Sequence, residues 1–307
     1  SAASDVYKRQ ITDNALGAIN QTYVMGSVVK GAMVLGALKS GVITPSNNTL
    51  TDEPIKLKGT ATKSSWFNKT GGANLSLTAS DALEVSSNSY MMKLAMMEGG
   101  FNYVPGSALS LSNSIFDKLR SNFKQFGLGV KTGIDIPGEA KGFEGPANQA
   151  HIGNALDLSF GNYDSYTTLQ LAQYISTIAN GGYRLQPHLL KSIRSTKRDG
   201  SLGEVKYEFE PNVLNVVGAT DSQWNIVKEG LWKVVHGTSS YRTGTRLADI
   251  KPAVCAKSGT AQTFYNTAET ETLSLVTYAP QKNPQVAIAV AFPNISDSSS
   301  SINSTAV

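Results

Sequence analysis

A serine and a lysine three residues apart, Ser27 and Lys30, open a strongly apolar run that continues through Ala32-Met33-Val34-Leu35 to Leu38. Three residues make almost one helical turn, so in a helix both side chains point the same way. The serine would sit in the first turn, where unpaired backbone N–H groups and the helix dipole favour developing negative charge. A hydroxyl alone is a poor nucleophile, and a neighbouring amine kept neutral by burial can take its proton. The spacing by itself does not select the site, because Ser121 and Lys124 repeat it. That second pair lies in an amphipathic, surface-type segment, where a solvated lysine is the ordinary outcome. Lys30 instead lies on a segment with almost no polar face, where a bare ammonium is costly unless it finds partners or loses its proton.

Ser-x-Asn occurs at Ser46/Asn48, Ser86/Asn88 and Ser301/Asn303. The outer two stand in polar, turn-like sequence, where both residue types cap backbone groups. Ser86-Ser87-Asn88 stands between two helical patterns, where it either caps a helix or presents a hydroxyl and an amide to a cleft. Local sequence leaves both open. Lys-[Ser/Thr]-Gly begins at Lys39, Lys69, Lys131 and Lys257. The first reads as a helix C-terminus, the second as a turn, and the third falls in a long loop. Lys257-Ser258-Gly259 instead interrupts an alternating, strand-like run, and a glycine inside a strand often marks close approach of a ligand or another backbone.

The elements that must position these residues follow from periodicity. The apolar run predicts a helix over 27–39, buried all round and stopped by Gly41. Helices are expected over 80–85 and 89–98, on either side of the Ser86-Ser87-Asn88 break, and over 112–126 and 167–179. Residues 127–146, rich in Gly and Pro, read as loop. Beyond Pro187, strands are expected at 189–193 and 205–209 around Asp199-Gly200. Thr220 and Gln223 give the capping-box signature of a helix running to about His236. Three β-like runs follow, 253–263, 272–278 and 285–292, the last two joined by a turn-rich connection typical of an antiparallel meander. Helices early and strands late indicate an α+β architecture, with a helical part over about 27–182 and a sheet part over about 189–293.

Bulk properties narrow the function classes. The chain has 307 residues, enough for a sizeable core. Its net charge of +4 is mild and its basic residues are scattered, which leaves no nucleic-acid footprint. The single cysteine, Cys255, excludes an intrachain disulfide and a cysteine-rich metal site, and reads as a small strand residue. His151, His188 and His236 lack ligand spacing, so neither a metal nor a cofactor is expected. The longest apolar stretches fall short of the roughly 20 residues a membrane span needs, and no signal peptide is recognisable.

Taken in order, Ser27-x-x-Lys30, Ser86-x-Asn88 and Lys257-Ser258-Gly259 resemble the motif set of the penicilloyl-serine transferases. The surrounding sequence is similar to class B penicillin-binding proteins in four places: Gly26-Ser27-Val28-Val29-Lys30, Ser86-Ser87-Asn88-Ser89-Tyr90-Met91, Gly127-Leu128-Gly129-Val130-Lys131-Thr132-Gly133-Ile134-Asp135-Ile136-Pro137-Gly138-Glu139, and Thr167-Thr168-Leu169-Gln170-Leu171-Ala172-Gln173. It most resembles the elongation-type, 2B-like enzymes of streptococci and related Gram-positive cocci, over about Ile11 to Pro293.

The resemblance implies a transpeptidase fold of the penicillin-binding-protein and β-lactamase type, an antiparallel sheet with helices plus a mainly helical subdomain. It implies that Ser27 is acylated by the D-Ala-D-Ala end of a peptidoglycan stem peptide, or by a β-lactam. Lys30 would take the Ser27 proton, and Ser86 would relay a proton toward the leaving amine. Asn88 would hold the substrate amide. Lys257, Ser258 and Thr260, with Gly259 between them, would bind the terminal carboxylate, and the N–H groups of Ser27 and Thr260 would form the oxyanion hole. The implied partners are stem peptides, β-lactams and the cell-wall elongation machinery. The implied location is the extracytoplasmic face of the membrane, through an anchor outside this chain. Family members also carry sheet strands before the serine helix and a C-terminal helix on the sheet. The chain is therefore expected to be an incomplete domain lacking both, with residues 1–10 a leader unlike the family.

Other readings stay open at this stage. A serine β-lactamase or β-lactam sensor would need a deacylating pair, which Glu144 and Asn148 loosely offer. A non-catalytic peptidoglycan-binding domain of the same fold is a further alternative. A triad hydrolase is disfavoured, because no Gly-x-Ser-x-Gly elbow is present.

Overall fold

The computed structural model of the protein describes residues 2–5, 10–14, 16–69, 72–265 and 267–296. Residues 1 and 6–9 of the expected leader, Thr70 and Gly71 of the Lys69 triplet, and Ser301 and Asn303 lie outside the described residues. The helices are α1 (Gly17–Asn20), α2 (Lys30–Ser40), α3 (Ala79–Glu84), α4 (Asn88–Glu98), α5 (Ser114–Gln125), α6 (Asn154–Ser159), α7 (Thr168–Ala179) and α8 (Asp221–His236). Short antiparallel pairs join β1 (Ala2–Asp5) to β2 (Gln10–Asp13), β3 (Tyr23–Val24) to β6 (Ser165–Tyr166), and β4 (Leu50–Asp52) to β5 (Leu75–Leu77). Two more join β7 (Tyr183–Leu185) to β10 (Val213–Val216) and β8 (Ser192–Thr196) to β9 (Leu202–Glu208). The main sheet is the antiparallel meander β11 (Cys255–Tyr265), β12 (Ala268–Ala279), β13 (Val286–Ser296). The expected α+β architecture is the one observed.

Helix α2 forms the centre. Ala32, Met33, Val34, Leu35, Ala37 and Leu38 are buried, as a helix apolar on every face requires, and α3, α4, α5 and α8 pack around it. It ends where expected, at Gly41 in the left-handed conformation (φ 83°). Its start differs from the expected 27–39. Ser27 lies in a 3₁₀ turn, Gly26–Val29, and α2 proper begins at Lys30. Gly26, the first residue of that turn, stands at φ 63° against the backbone of Thr260, a conformation and a closeness that a Cβ would not allow.

Capping boxes fix three helix starts: Thr78 with Asp81 at α3, Thr167 with Gln170 at α7, and Thr220 with Gln223 at α8. On β13, Ala287, Ala289 and Ala291 share one face, and these small side chains let α7 lie close against the sheet. The strand expected at 189–193 begins later, at Ser192. The Leu189 and Leu190 amides donate instead to the Asp135 carboxylate, both at 2.8 Å, so they are not available to a ladder.

Candidate active site

Lys30 reaches the site from the first residue of α2, with its side chain entirely buried. Its Nζ donates to the Ser86 carbonyl at 2.7 Å, to Ser86 Oγ at 3.2 Å and to Asn88 Oδ1 at 2.7 Å. All three acceptors are neutral. Burial therefore drives the Lys30 pKa well below the ordinary lysine value, the nearby Lys257 charge pushes the same way, and Asp52 opposes. The lowered pKa eases loss of one of the three donated hydrogens, and the amine then has the lone pair that a proton acceptor needs.

The turn that supplies those acceptors is unusual. Ser86 has φ 56°, a left-handed conformation that costs a residue with a Cβ roughly 1–2 kcal/mol. It aims the carbonyl and hydroxyl of Ser86 at the same nitrogen. Ser87 caps α4 by accepting from Tyr90 N at 2.9 Å, and Asn88 is the first residue of that helix rather than part of the break. The two open readings of this motif are thus divided among its residues: Ser87 caps, while Ser86 and Asn88 face the lysine.

Lys257 arrives from the sheet. It is opposite Val276 on β12, on the same strand face as Gly259, which meets the Gly26–Val29 turn, and is entirely buried. Its Nζ donates to Ser86 Oγ at 2.8 Å and to the Ser258 carbonyl at 2.9 Å. Burial lowers its pKa to about 7. Ser86 Oγ therefore bridges two lysine nitrogens from different elements. Ser258, one residue on, faces the other side of the strand, where its hydroxyl donates to Thr243 Oγ1 at 3.1 Å. Thr260 is exposed at the strand edge.

Backbone brings Ser27 to this strand. A Cβ at Gly259 would stand 2.5 Å from the Met25 carbonyl and 3.1 Å from Ser27 N, and Ser274 Oγ donates to that carbonyl at 2.5 Å. A Cβ at Gly26 would stand 3.0 Å from Thr260 N. The two glycines, one on each side, thus permit the contact that gathers the Ser27 and Thr260 amides at one edge of the site. Gly26 N donates to the Gly161 carbonyl at 2.9 Å, which fixes the turn from behind.

Behind the Ser86–Asn88 turn stands a polar cluster that sequence reasoning missed. Asp52, fully buried at the end of β4, accepts from Ser65 Oγ at 2.7 Å, from Asn68 Nδ2 at 2.6 Å and from Ser87 Oγ. Ser65 Oγ in turn accepts from the amides of Asn88 and Ser89 at 3.0 and 3.2 Å. These residues lie in the polar stretch after α2, where no periodicity or motif sets them apart. Thr243, in the loop before β11, was equally unmarked.

The repeated motifs fall elsewhere. Lys124 is 40% exposed and pairs with Glu144 at 2.7 Å, which places both the second Ser-x-x-Lys and the loop glutamate in a surface ion pair. Asn148 Oδ1 lies 2.8 Å from His151 Nδ1. Asn48 closes a turn onto the carbonyls of Thr44 and Pro45. Lys39-Ser40-Gly41 ends α2, and the Thr132 and Gly133 amides are taken by Glu139. Cys255 is buried on β11 with its thiol pushed up to about 11 by burial, which suits a packed strand residue rather than a nucleophile.

The family described as penicillin binding protein transpeptidase domain matches residues 1–307. Penicillin-binding protein 2B of Streptococcus pneumoniae is 37% identical over 294 residues, covering 94% of this chain and 43% of that protein. Penicillin-binding protein 2A of Bacillus subtilis is 43% identical over 290 residues, covering 92% of this chain and 39% of that protein. The solved structure of penicillin-binding protein 2B from Streptococcus pneumoniae R6 superposes with a TM-score of 0.90 at 36% identity, over 96% of this chain and 48% of the other. The chain thus spans less than half the length of the relatives it matches. It belongs to the penicillin-binding protein transpeptidase family.

Proposed function

We propose that this member of the transpeptidase family is a peptidoglycan D,D-transpeptidase, acting through an acyl-enzyme at Ser27, and that β-lactams acylate the same serine. The observation that carries the reading is the hydroxyl of Ser86 held between Lys30 Nζ and Lys257 Nζ, at 3.2 and 2.8 Å, beside the turn that bears Ser27. Lys30 takes the Ser27 proton as Oγ attacks the carbonyl of the penultimate D-Ala. The developing oxyanion is held by the amides of Ser27 and Thr260, each such donor being worth about 3–4 kcal/mol. The C–N bond then breaks, and the departing D-Ala nitrogen takes the proton that Lys30 acquired, passed through Ser86 Oγ. An ester on Ser27 remains. The amine of a second stem peptide attacks it, a peptide bond forms, and Ser27 recovers its proton. Lys257 and Thr260 receive the terminal carboxylate of the donor, a charge-assisted contact. Asn88 holds the donor's amide, and Ser258 with Gly259 shapes the strand that the substrate lies along.

The active domain would work on the extracytoplasmic face of the membrane, together with the cell-wall elongation machinery, as the resemblance implies. Among the described residues, no helix is long and apolar enough to cross a membrane.

The lifetime of the adduct with a fluorescent penicillin tests this reading. A labelled serine that persists supports the transpeptidase, whereas rapid release of hydrolysed drug would assign the chain to the β-lactamases. No labelling of the folded protein would support a non-catalytic domain.

A further inference from the structure

We infer that Asp52 is a positioning residue for the acylation: its buried carboxylate anchors the Ser86–Asn88 turn through Ser65 and Ser87, and its charge acts on Lys30 across that turn. The inference rests on the function proposed above and extends it to a residue outside the three motifs.

The geometry is specific. Asp52 is fully buried, yet it accepts from neutral donors only: Ser65 Oγ, Ser87 Oγ and Asn68 Nδ2. Its two oxygens take three donors between them, which suits the acceptor capacity of a carboxylate. A buried charge usually pairs with an opposite one, as Arg120 does with Asp164 at 2.7 Å elsewhere in this molecule. Asp52 makes no ion pair among the described residues. The cation its charge acts on is Lys30, across a single turn, with Ser86-Ser87-Asn88 as the spacer.

The hydrogen-bond order matters. Ser65 Oγ donates to Asp52 and accepts from the Asn88 and Ser89 amides, so the carboxylate fixes the Ser65 rotamer that fixes the start of α4. Asn88 Oδ1 is in turn a direct acceptor of Lys30. One chain of contacts therefore runs from Asp52 to the proposed base. The charged groups acting on Lys30 are Lys257, which lowers its pKa, and Asp52, which raises it. Charged side chains on the elements packed around α2 are engaged elsewhere: Glu84 of α3 accepts from Ser239 N, Asp81 of α3 and Glu229 of α8 pair with Lys233, Glu98 of α4 pairs with Lys118, and Arg120 of α5 pairs with Asp164.

The test is the pH profile of acylation by a fluorescent penicillin, measured on the wild type, Asp52→Asn, Ser65→Ala and the double variant Asp52→Asn/Asn68→Asp, with folding of each checked by circular dichroism. Asp52→Asn removes the charge that favours protonated Lys30. The acid limb, where Lys30 loses its proton, should move to lower pH by about half a unit or more. Ser65→Ala keeps the charge and loosens the turn, so the rate should fall with the limb in place. The double variant restores a carboxylate across the same hydrogen bond and should bring the limb back. An acid limb unmoved in folded Asp52→Asn overturns the inference. Should Asp52→Asn fail to fold, Ser65→Ala decides, because it cuts the link from the carboxylate to the Asn88 and Ser89 amides; slower acylation with the limb in place supports the inference and an unchanged rate overturns it. If the wild type itself takes no label, the proposed function fails and not merely the role of Asp52.

Discussion

Two Ser-x-x-Lys pairs of identical spacing meet opposite fates in this molecule. Lys124, on the outer face of α5, is 40% exposed and forms an ion pair with Glu144. Lys30, at the head of α2, is wholly buried, and its nitrogen meets only neutral oxygens from a strained turn. A solvated ion pair keeps its charge and contributes little, whereas burial without a carboxylate partner makes an amine release its proton more readily. The spacing offers a lysine near a serine. The environment decides whether that lysine is a base.

The largest expected contrast is at the serines. Ser27→Ala should abolish penicillin labelling, while Ser121→Ala should leave the labelling rate within about twofold, since surface substitutions away from special features change little. In-gel fluorescence of the two variants against the wild type reads this directly, and loss of label in Ser121→Ala would break the comparison.

The lysines come next. Lys30→Met should slow acylation by about 10²–10⁴-fold, the range for a lost general base, without unfolding the protein, because a buried methionine fits a site that already desolvates its occupant. Lys124→Met should change acylation little and cost about 0–1 kcal/mol of stability. Stopped-flow acylation together with urea unfolding separates the two effects. Equal kinetic losses at both positions would remove the distinction drawn here.

Smaller, and visible in stability rather than rate, is the pH dependence that buried lysines impose. The folded-state pKa of Lys257 is about 7, against an ordinary value near 10.4, so the unfolded chain binds a proton that the folded chain has released. Stability therefore rises with pH from about 7 toward the ordinary lysine value, and Lys30 acts in the same direction. The urea midpoint should climb over that window in the wild type and climb less in Lys257→Met. The exposed Lys124 should give no such slope, and a wild-type midpoint that falls across the window would contradict buried neutral lysines.

Much of this was legible in the chain. The all-round apolar run marked α2 as central, Thr220 and Gln223 marked the start of α8, and the glycine within a strand marked β11 as the place of close approach, since each signal is local. Non-local features were not legible. The 3₁₀ turn at Gly26–Val29 begins where Gly26 meets the backbone of Thr260, far away in sequence. Leu189 and Leu190 read as strand until the Asp135 carboxylate takes their amides. Asp52 and Ser65 look like any polar loop residues, because their importance comes only from the turn they meet after folding. Ser258 showed the reverse difficulty: its place in the motif suggested a substrate contact, but strand alternation turns its hydroxyl toward Thr243.

The most direct test of the central claim is to locate the adduct itself. The folded protein is treated with a penicillin, digested, and its peptides are mapped by mass spectrometry. A single penicilloyl adduct on the hydroxyl of Ser27 is expected; an adduct on Ser86, Ser121 or Ser258 with Ser27 unmodified would contradict acylation at Ser27.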